Sequence, residues 1–500
     1  MKKSINILGV FLLLLVLGGC KKDYLDTKPS NAVPESTIFA TTTDINAALD
    51  GAYQSLFAYG ANGTTGHDNF GQKAVDLSLD LAGQDMVVHL AGYGWFNRDY
   101  QYAEWNLKDA SNRRPEMVFF YYYEINKQAN KFIKFVDAAI GSEAEKKAIK
   151  GQALALRAYC HYYLVNLWAQ TYKGHESDPG IPVVLTDVPG PEGTPRSSVQ
   201  DVYTQIIADL TDAETALTGT TMPDKVHISL NVVQGLRARV ALVMEDWPAA
   251  ALYANKARTG YVPMTGSQYT AAGAFSSISN PEWMWGSKIS ADLATIYASF
   301  FSHMDAATGG YAALGTQKKI TKALYDQIPA TDVRKTLFRA PGTGTSTFPD
   351  YNQSKHRVPL PGGTTNWVAD YLYMRAAEMY LIEAEALARQ GQDGPAGTVL
   401  NALVSTRNPA YTGGTLTGTA LLNEILLQRR IELWGEGFGL LDIKRLKTGL
   451  NRPTGAGNHG SPSLDPVVYT LADADPRMIM KIPQNEINNN PALTDADQNP

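Results

Sequence analysis

The chain contains little cysteine and little charge. Only two cysteines occur among its 500 residues, so if Cys20 is modified at the mature amino terminus, Cys160 has no partner in the chain. The fold must then be stabilised by its own core rather than by disulfides. Charged residues make up 19% of the chain, the formal net charge is −5, and no long run of like charge occurs. A nucleic-acid-binding function therefore has no electrostatic support.

Common catalytic motifs are also missing. There is no H-E-x-x-H, no G-x-S-x-G and no P-loop, and the segment 435–440 fails the dinucleotide pattern at its last position. The alternating aspartates at 473–475 and 495–497 lack the glycine and distal glutamate of a calcium loop. We therefore predict a non-enzymatic protein without a cofactor or catalytic residues, and we identify no metal ligands.

The amino terminus has the three parts of a secretory signal. Lys2 and Lys3 precede an apolar run over 5–17, and two glycines follow it. The run is too short to span a bilayer comfortably as a helix. Cys20 directly after these small residues resembles the lipobox of bacterial lipoproteins, which implies acylation of its thiol and amino group. We predict a signal peptide over 1–19, a lipid anchor at Cys20 and a proline-containing tether over 20–40.

Periodic apolar residues predict a mostly α-helical protein. The helical segments cover about 44–60, 116–258 and 370–447, and loop-rich segments cover about 61–115 and 259–369. Ser142 and Glu145 have the spacing of a capping box at the start of a long helix. Pro248 and Pro395 each open the second helix of a helix–turn–helix unit. The similarity of these two units suggests a tetratricopeptide-like scaffold.

Helix charges leave two interpretations open. Arg157, Arg375, Glu383, Glu385, Arg429, Arg430 and Glu432 lie within amphipathic helices. A surface glycoside hydrolase would use two such carboxylates as acid and base. We favour buried Arg–Glu pairs between packed helices, because catalytic groups more often lie on loops above a cleft.

Six segments in order, behind the lipobox, resemble the SusD/RagB family of nutrient-binding outer-membrane lipoproteins. The resemblance covers nearly the whole chain and rests on Asp23–Pro29, Leu154–Val165, Gly180–Val184, Tyr373–Ala386, Gln428–Gly437 and a carboxyl-terminal signature from Ile482–Ile487 through Asn490-Pro491 to Gln498-Asn499-Pro500. It implies one SusD-like domain over 41–500, with tetratricopeptide-like helical hairpins packed against a loop-rich region that has few short strands.

The resemblance also implies a function and a partner. Family members cover a SusC-like TonB-dependent outer-membrane transporter and open like a lid as ligand is captured. Most bind glycans and some, as in RagB, bind peptides. We therefore expect a lipid-anchored outer-membrane protein that delivers oligosaccharide to such a transporter. A peptide-binding member, a surface glycoside hydrolase and an interaction scaffold without a small ligand are the alternatives.

Candidate ligand contacts lie in the loop-rich segments. Tyr93, Trp95, Asn97 and Arg98 combine aromatic, amide and guanidinium groups, and they occupy the place where glycan-binding relatives carry such contacts. Asp85 lies in the preceding loop. Many relatives carry a glycine–acid–acid run at this place, but this chain has Gln84 where the first acid would stand. Further candidates are Trp283 and Trp285, which would face one side of a strand, and Tyr311, Tyr351 and Trp367. The alternative for each ring is core packing under a loop.

Overall fold

A computed structural model describes residues 34–60, 65–103, 113–188, 190–306, 309–359, 366–465 and 467–500. The predicted signal peptide, the lipidation of Cys20 and most of the predicted tether lie outside these residues.

Helices dominate the described chain, as predicted. They are α1 (Glu35–Ile38), α2 (Thr42–Ser55), α3 (Gln72–Leu81), α4 (Asn97–Tyr100), α5 (Arg113–Val136), α6 (Glu143–Trp168), α7 (Val199–Leu217), α8 (Leu230–Met244), α9 (Trp247–Arg258), α10 (Gly266–Thr270), α11 (Phe300–Met304), α12 (Lys322–Tyr325), α13 (Ala376–Arg389), α14 (Asp393–Val404), α15 (Gly418–Glu432), α16 (Gly439–Leu446) and α17 (Gln484–Asn489).

The long helices pack in sequential pairs. Helix α6 contacts both α5 and α7, α9 packs on α8 and α13, and α13 packs on α14. The turn before α6 has the predicted capping box, in which the Ser142 backbone N–H donates to Glu145 and the Glu145 backbone N–H donates to Ser142 Oγ. Asp246 caps α9, and Pro248 lies in its first turn as predicted.

The prediction of loop structure over 61–115 is partly wrong. This segment contains α3, in which all ten residues are buried. Its polar residues Gln72, Asp76 and Asp80 recur on one face, but that face is buried as well, so α3 is covered on every side. Its polar side chains form hydrogen bonds with one another or with the surrounding loops. For example, Gln72 donates to Asp76, and Asp80 accepts from the backbone N–H groups of Gly437 and Gly439.

The strands form small antiparallel ribbons. They are β1 (Met86–Val88) with β5 (Lys318–Ile320), β2 (Pro179–Pro182) with β3 (Arg196–Ser198), β4 (Trp283–Ser287) with β6 (Tyr371–Arg375), and β7 (Leu450–Asn451) with β8 (Thr470–Leu471). In the first ribbon Met86 pairs with Ile320 and Val88 with Lys318. This ribbon joins the two loop-rich segments, and its two strands are more than 200 residues apart in the chain.

A buried ion-pair network lies between the helices and the β4–β6 ribbon. The Glu432 carboxylate contacts Arg334, Arg375 and Arg407 at 2.8–2.9 Å, and Arg375 also contacts Glu282 and Glu436. Burial alone would raise the pKa of Glu432, but the three guanidinium groups hold it well below its usual range.

The other charged residues singled out in the sequence are paired in the same way. The pairs are Arg157–Asp209, Arg258–Glu383, Arg445–Glu385, Arg429–Asp442 and Arg430–Asp85. The interpretation of these helix charges as buried pairs between helices is confirmed except for Arg430, which is partly exposed and pairs with Asp85 in a loop.

Candidate ligand-binding site

The β1–β5 ribbon brings two loops to one end. Because the strands are antiparallel, the chain leaving β1 and the chain entering β5 lie side by side, and the His89 N–H donates to Gln317 O at 2.9 Å. The loop over 89–96 then packs on Thr316. A Cβ on Gly92, whose φ is +50°, would lie 1.9 Å from Thr316 Cγ2, so only glycine permits this approach.

Five rings from four chain segments meet on this surface. We call His67, Tyr93, Trp95, Tyr297 and Tyr311 the ring cluster. The Tyr311 ring lies 4.9–6.3 Å from the four others, and the His67 ring lies 5.3 Å from Trp95 and 5.7 Å from Tyr297. Tyr311 is almost buried, while Tyr93 is 67% and Tyr297 37% exposed. The cluster therefore has a buried centre and an exposed aromatic edge.

Hydrogen bonds fix the centre of the cluster. The Tyr311 hydroxyl lies 2.6 Å from His67 Nδ1 and also bonds the Trp95 side chain. An indole can only donate, so the Tyr311 oxygen accepts from Trp95 and its own proton is available to His67. Burial is the main reason that the pKa of Tyr311 is raised, so its hydroxyl keeps that proton.

His303 supports the cluster from below. Its ring stacks on Tyr311 at 5.2 Å and contacts Phe96 at 5.0 Å, and its Nε2 donates to the His67 backbone oxygen at 3.1 Å. Burial, together with the charge of Lys318, holds the pKa of His303 well below its usual range, so the ring is neutral. One buried imidazole thus connects three of the four segments that form the cluster.

The turn after Trp95 is held in an uncommon conformation. Phe96 has a φ of +65° and is buried against Phe70 and the Arg114 guanidinium, which lies 4.5 Å from its ring. Arg114 in turn pairs with Asp99 at 3.0 Å. A bulky residue at positive φ costs energy and persists only where surrounding contacts impose it. These contacts place Phe96 in the core and leave the preceding Trp95 half-buried in the cluster.

The structure brings Tyr93, Trp95 and the further candidate Tyr311 together, and ligand contact by these rings stays a prediction. Asn97 is buried instead and braces the loop by donating to Ala91 O at 2.8 Å. Arg98 is exposed on α4, one turn beyond the rings. The sequence interpretation missed His67 and Tyr297, because each is a single ring in an irregular loop with no aromatic neighbour within two positions.

Asp85 lies at the other end of the β1–β5 ribbon, so the structure does not bring it into the ring cluster. Its carboxylate contacts Arg430 at 2.6 Å, and its backbone oxygen accepts from the Trp434 indole. These groups line a separate cavity of about 360 Å³ whose walls include Leu433 and Phe438. A larger groove of about 580 Å³ runs beside α5 and α17.

The expectation that Trp283 and Trp285 face a ligand is corrected by the structure. Both side chains are fully buried, and the register of β4 shifts between them. Trp285 packs on Tyr159 in the main core, whereas Trp283 belongs to a small separate cluster. A bulge breaks the alternation that was expected to place both rings on one face.

Tyr351 and Trp367, the two other candidate rings, are also buried. The Trp367 indole donates to the Ile296 backbone oxygen at 2.7 Å, and thereby holds the loop that carries Tyr297.

Within the described ranges, no group of three or more His, Cys, Asp or Glu side chains is arranged to hold a metal ion. No helix in the described part of the chain is long and apolar enough to cross a membrane. Cys160 is a buried free thiol on α6, and burial raises its pKa.

Solved structures share this fold. A SusD-like carbohydrate binding protein from Bacteroides vulgatus has 26% sequence identity and a TM-score of 0.77, covering 92% of this chain and 98% of its own. A SusD superfamily protein from Bacteroides thetaiotaomicron has 22% identity and a TM-score of 0.77, covering 92% of this chain and all of its own. A surface glycan-binding protein A from Bacteroides uniformis has 19% identity and a TM-score of 0.68, covering 92% and 99%. The last two similarities show the fold alone.

Sequence comparisons identify the same family. Residues 23–242 match the SusD-like model described as starch-binding associating with outer membrane, and residues 342–500 match the SusD family model. SusD-like protein P2 of Formosa agariphila is 26% identical over 199 residues, which are 40% of this chain and 35% of that protein. The match thus spans about a third of that relative's length. The chain belongs to the SusD/RagB family.

Proposed function

We propose that this protein is a cell-surface lipoprotein that binds oligosaccharide at the ring cluster and delivers it, without cleaving it, to a SusC-like TonB-dependent transporter. The observation that carries the proposal is the exposed aromatic edge built on a fixed centre. Sugar rings offer C–H faces to aromatic side chains, and their hydroxyls hydrogen-bond to polar groups such as His67 Nε2 and the tyrosine hydroxyls.

Rigidity supports the same function. The cluster is held by the Tyr311–His67 bond, by stacking on His303 and by the backbone turn at Phe96. A site whose rings are fixed before binding loses less conformational entropy when a ligand arrives. Such preorganisation is what a weakly interacting polar ligand such as a glycan requires.

Affinity gel electrophoresis over a panel of soluble polysaccharides tests glycan binding. We expect at least one polysaccharide to retard the wild type, and Trp95→Ala to weaken that binding by about tenfold or more. Trp247→Ala is the matched control, because Trp247 is also half-buried but lies on α9. Binding that survives Trp95→Ala and Tyr297→Ala would place the site elsewhere.

Two further measurements separate the alternatives. Release of reducing ends from a bound glycan by purified protein would support a surface glycoside hydrolase and contradict the proposal. Binding of peptides by a protein that no glycan retards would favour the peptide-binding alternative.

Anchoring and partnership need the full-length precursor in its native membrane. We expect Cys20→Ala to release the protein from the outer-membrane fraction, because it removes the residue that would carry all three acyl chains. Three chains together give far stronger anchoring than one. We expect the wild type to co-purify with a TonB-dependent barrel in mild detergent. Failure of co-purification would leave glycan binding intact as a function but remove delivery to a transporter.

A further inference from the structure

Aliphatic side chains border the ring cluster. We call Leu90, Leu293, Ile296, Leu314 and Val368 the aliphatic rim; each is 41–49% exposed. Seven of the fifteen large apolar side chains that are exposed in the described chain belong to the rim or to the cluster. Single exposed apolar residues need no explanation, but a concentration of this kind marks a binding surface.

The rim is joined to the rings by short-range contacts. Leu314 lies in the same turn as Tyr311, because its N–H donates to the Tyr311 backbone oxygen at 3.1 Å. Leu90 reaches this turn from the β1 loop, with its Cδ1 3.9 Å from the position that a Cβ on Gly315 would take. Leucine side chains from two segments therefore meet at the turn that carries Tyr311.

The loop that carries Tyr297 contributes the other rim residues. Ile296 precedes Tyr297 directly, and Leu293 lies one turn earlier. Trp367 fixes this loop by donating to the Ile296 backbone oxygen, and the exposed Val368 follows Trp367. Exposed aliphatic groups thus lie in the segments that carry Tyr311 and Tyr297.

Such borders fit an unsubstituted sugar poorly. A pyranose stacked on the rings turns its hydroxyl-bearing edge towards the neighbouring side chains, and hydroxyls held against leucine or isoleucine lose water without gaining a partner. A methyl group in the same place gains free energy by leaving water.

We infer that the ligand is a glycan whose rings carry methyl-terminated substituents, either O-acetyl esters or the methyl group of a 6-deoxy sugar. The rings bind the sugar faces and the aliphatic rim binds the substituents. This inference rests on the proposed function and specifies the class of ligand for the same site.

Two matched pairs of polysaccharides test it and separate the two sources of the methyl group. The first pair is acetylated glucomannan and the same glucomannan after mild alkaline deacetylation. The second pair is fucosylated xyloglucan and the same xyloglucan after removal of fucose by an α-fucosidase. We expect the substituted member of at least one pair to bind about tenfold more tightly, the gain from burying about two methyl groups.

Rim variants show whether the rim causes the preference. Leu314→Asn and Ile296→Asn should bring the two members of that pair to nearly equal affinity, while binding of the unsubstituted member stays unchanged. Leu252→Asn is the matched control, because Leu252 is equally exposed but lies on α9. Unchanged melting temperatures would show that the variants fold.

Four outcomes overturn the inference. Equal binding within both pairs overturns it and leaves the proposed function standing. Tighter binding of the unsubstituted members likewise overturns the inference and leaves the proposed function standing. Rim variants that keep the preference but lose co-purification with the transporter would show that the rim contacts protein. Failure to bind either pair also overturns it, whereas the proposed function fails only if the whole polysaccharide panel gives no retardation.

Discussion

The Tyr311 hydroxyl lies 2.6 Å from His67 Nδ1 and joins two loops that are more than 240 residues apart in the chain. The same hydroxyl bonds the Trp95 side chain. One oxygen atom therefore fixes the relative positions of rings from three segments.

Tyr311→Phe should weaken glycan binding by about three- to tenfold, because it removes this oxygen while keeping the ring. The Trp95 and His67 side chains would lose their shared partner and the cluster would lose rigidity. Isothermal titration calorimetry against the strongest polysaccharide ligand measures the effect. Tyr123→Phe is the control, since its hydroxyl donates to Pro182 O outside the cluster. Equal losses in both variants would contradict a specific role for Tyr311.

Glu432→Ala should lower the free energy of unfolding by about 3–5 kcal/mol, because it leaves three buried guanidinium groups without their common carboxylate. Glu124→Ala removes one partner of an exposed pair with Lys127 and should cost less than about 1 kcal/mol. Urea denaturation at neutral pH measures both values. A Glu432→Ala loss as small as that of Glu124→Ala would show that the network contributes little.

Protonation of Glu436 should make the free energy of unfolding depend on pH between about 4.5 and 2. Burial would raise its pKa, but Arg375 and Lys355 lower it from 4.5 to about 2. The unfolded state therefore takes up the proton first as pH falls, so the stabilisation is complete above about pH 4.5 and is lost towards pH 2. The stability difference between the wild type and Glu436→Gln should shrink over this range. A difference that stays constant would mean that this pKa is not lowered.

Lys318 should make stability rise with pH in a second, higher range. Its amine is buried, has no hydrogen-bond partner in the described residues, and burial lowers its pKa from 10.5 to about 7. Between these values the unfolded state holds more protons, so stability rises with pH over this range. Lys318→Met should therefore raise the melting temperature most below pH 7 and hardly at all near pH 10.5. A uniform effect at every pH would indicate altered packing alone.

The helical scaffold was predictable because its signals are local. The capping box at Ser142 and Glu145 and the proline in the first turn of α9 each lie within a few residues of the element that they start. Helix α3 escaped prediction because apolar and polar residues alternate over 75–81, which is the pattern of a strand. The bulge between Trp283 and Trp285 also has no local signal, so the alternation of a regular strand gave the wrong placement.

The candidate site was predictable only in part for the same reason. Tyr93 and Trp95 are two residues apart and form a recognisable aromatic segment. His67 joins them through its bonds to Tyr311 and His303, and Tyr297 through its ring contacts with His67 and Tyr311. No pattern within one segment shows that those contacts exist.

The network around Glu432 has a consequence for the speed of folding. Its three arginines come from positions 334, 375 and 407, and Arg375 also needs Glu282. If the three arginines assemble before Glu432 reaches them, their guanidinium groups are buried without their common carboxylate, so such a partial core gains little stability. Contacts between residues this far apart in sequence also form slowly, because loop closure must precede them. We therefore expect completion of the network to be a late step in folding, and the finished core to open slowly.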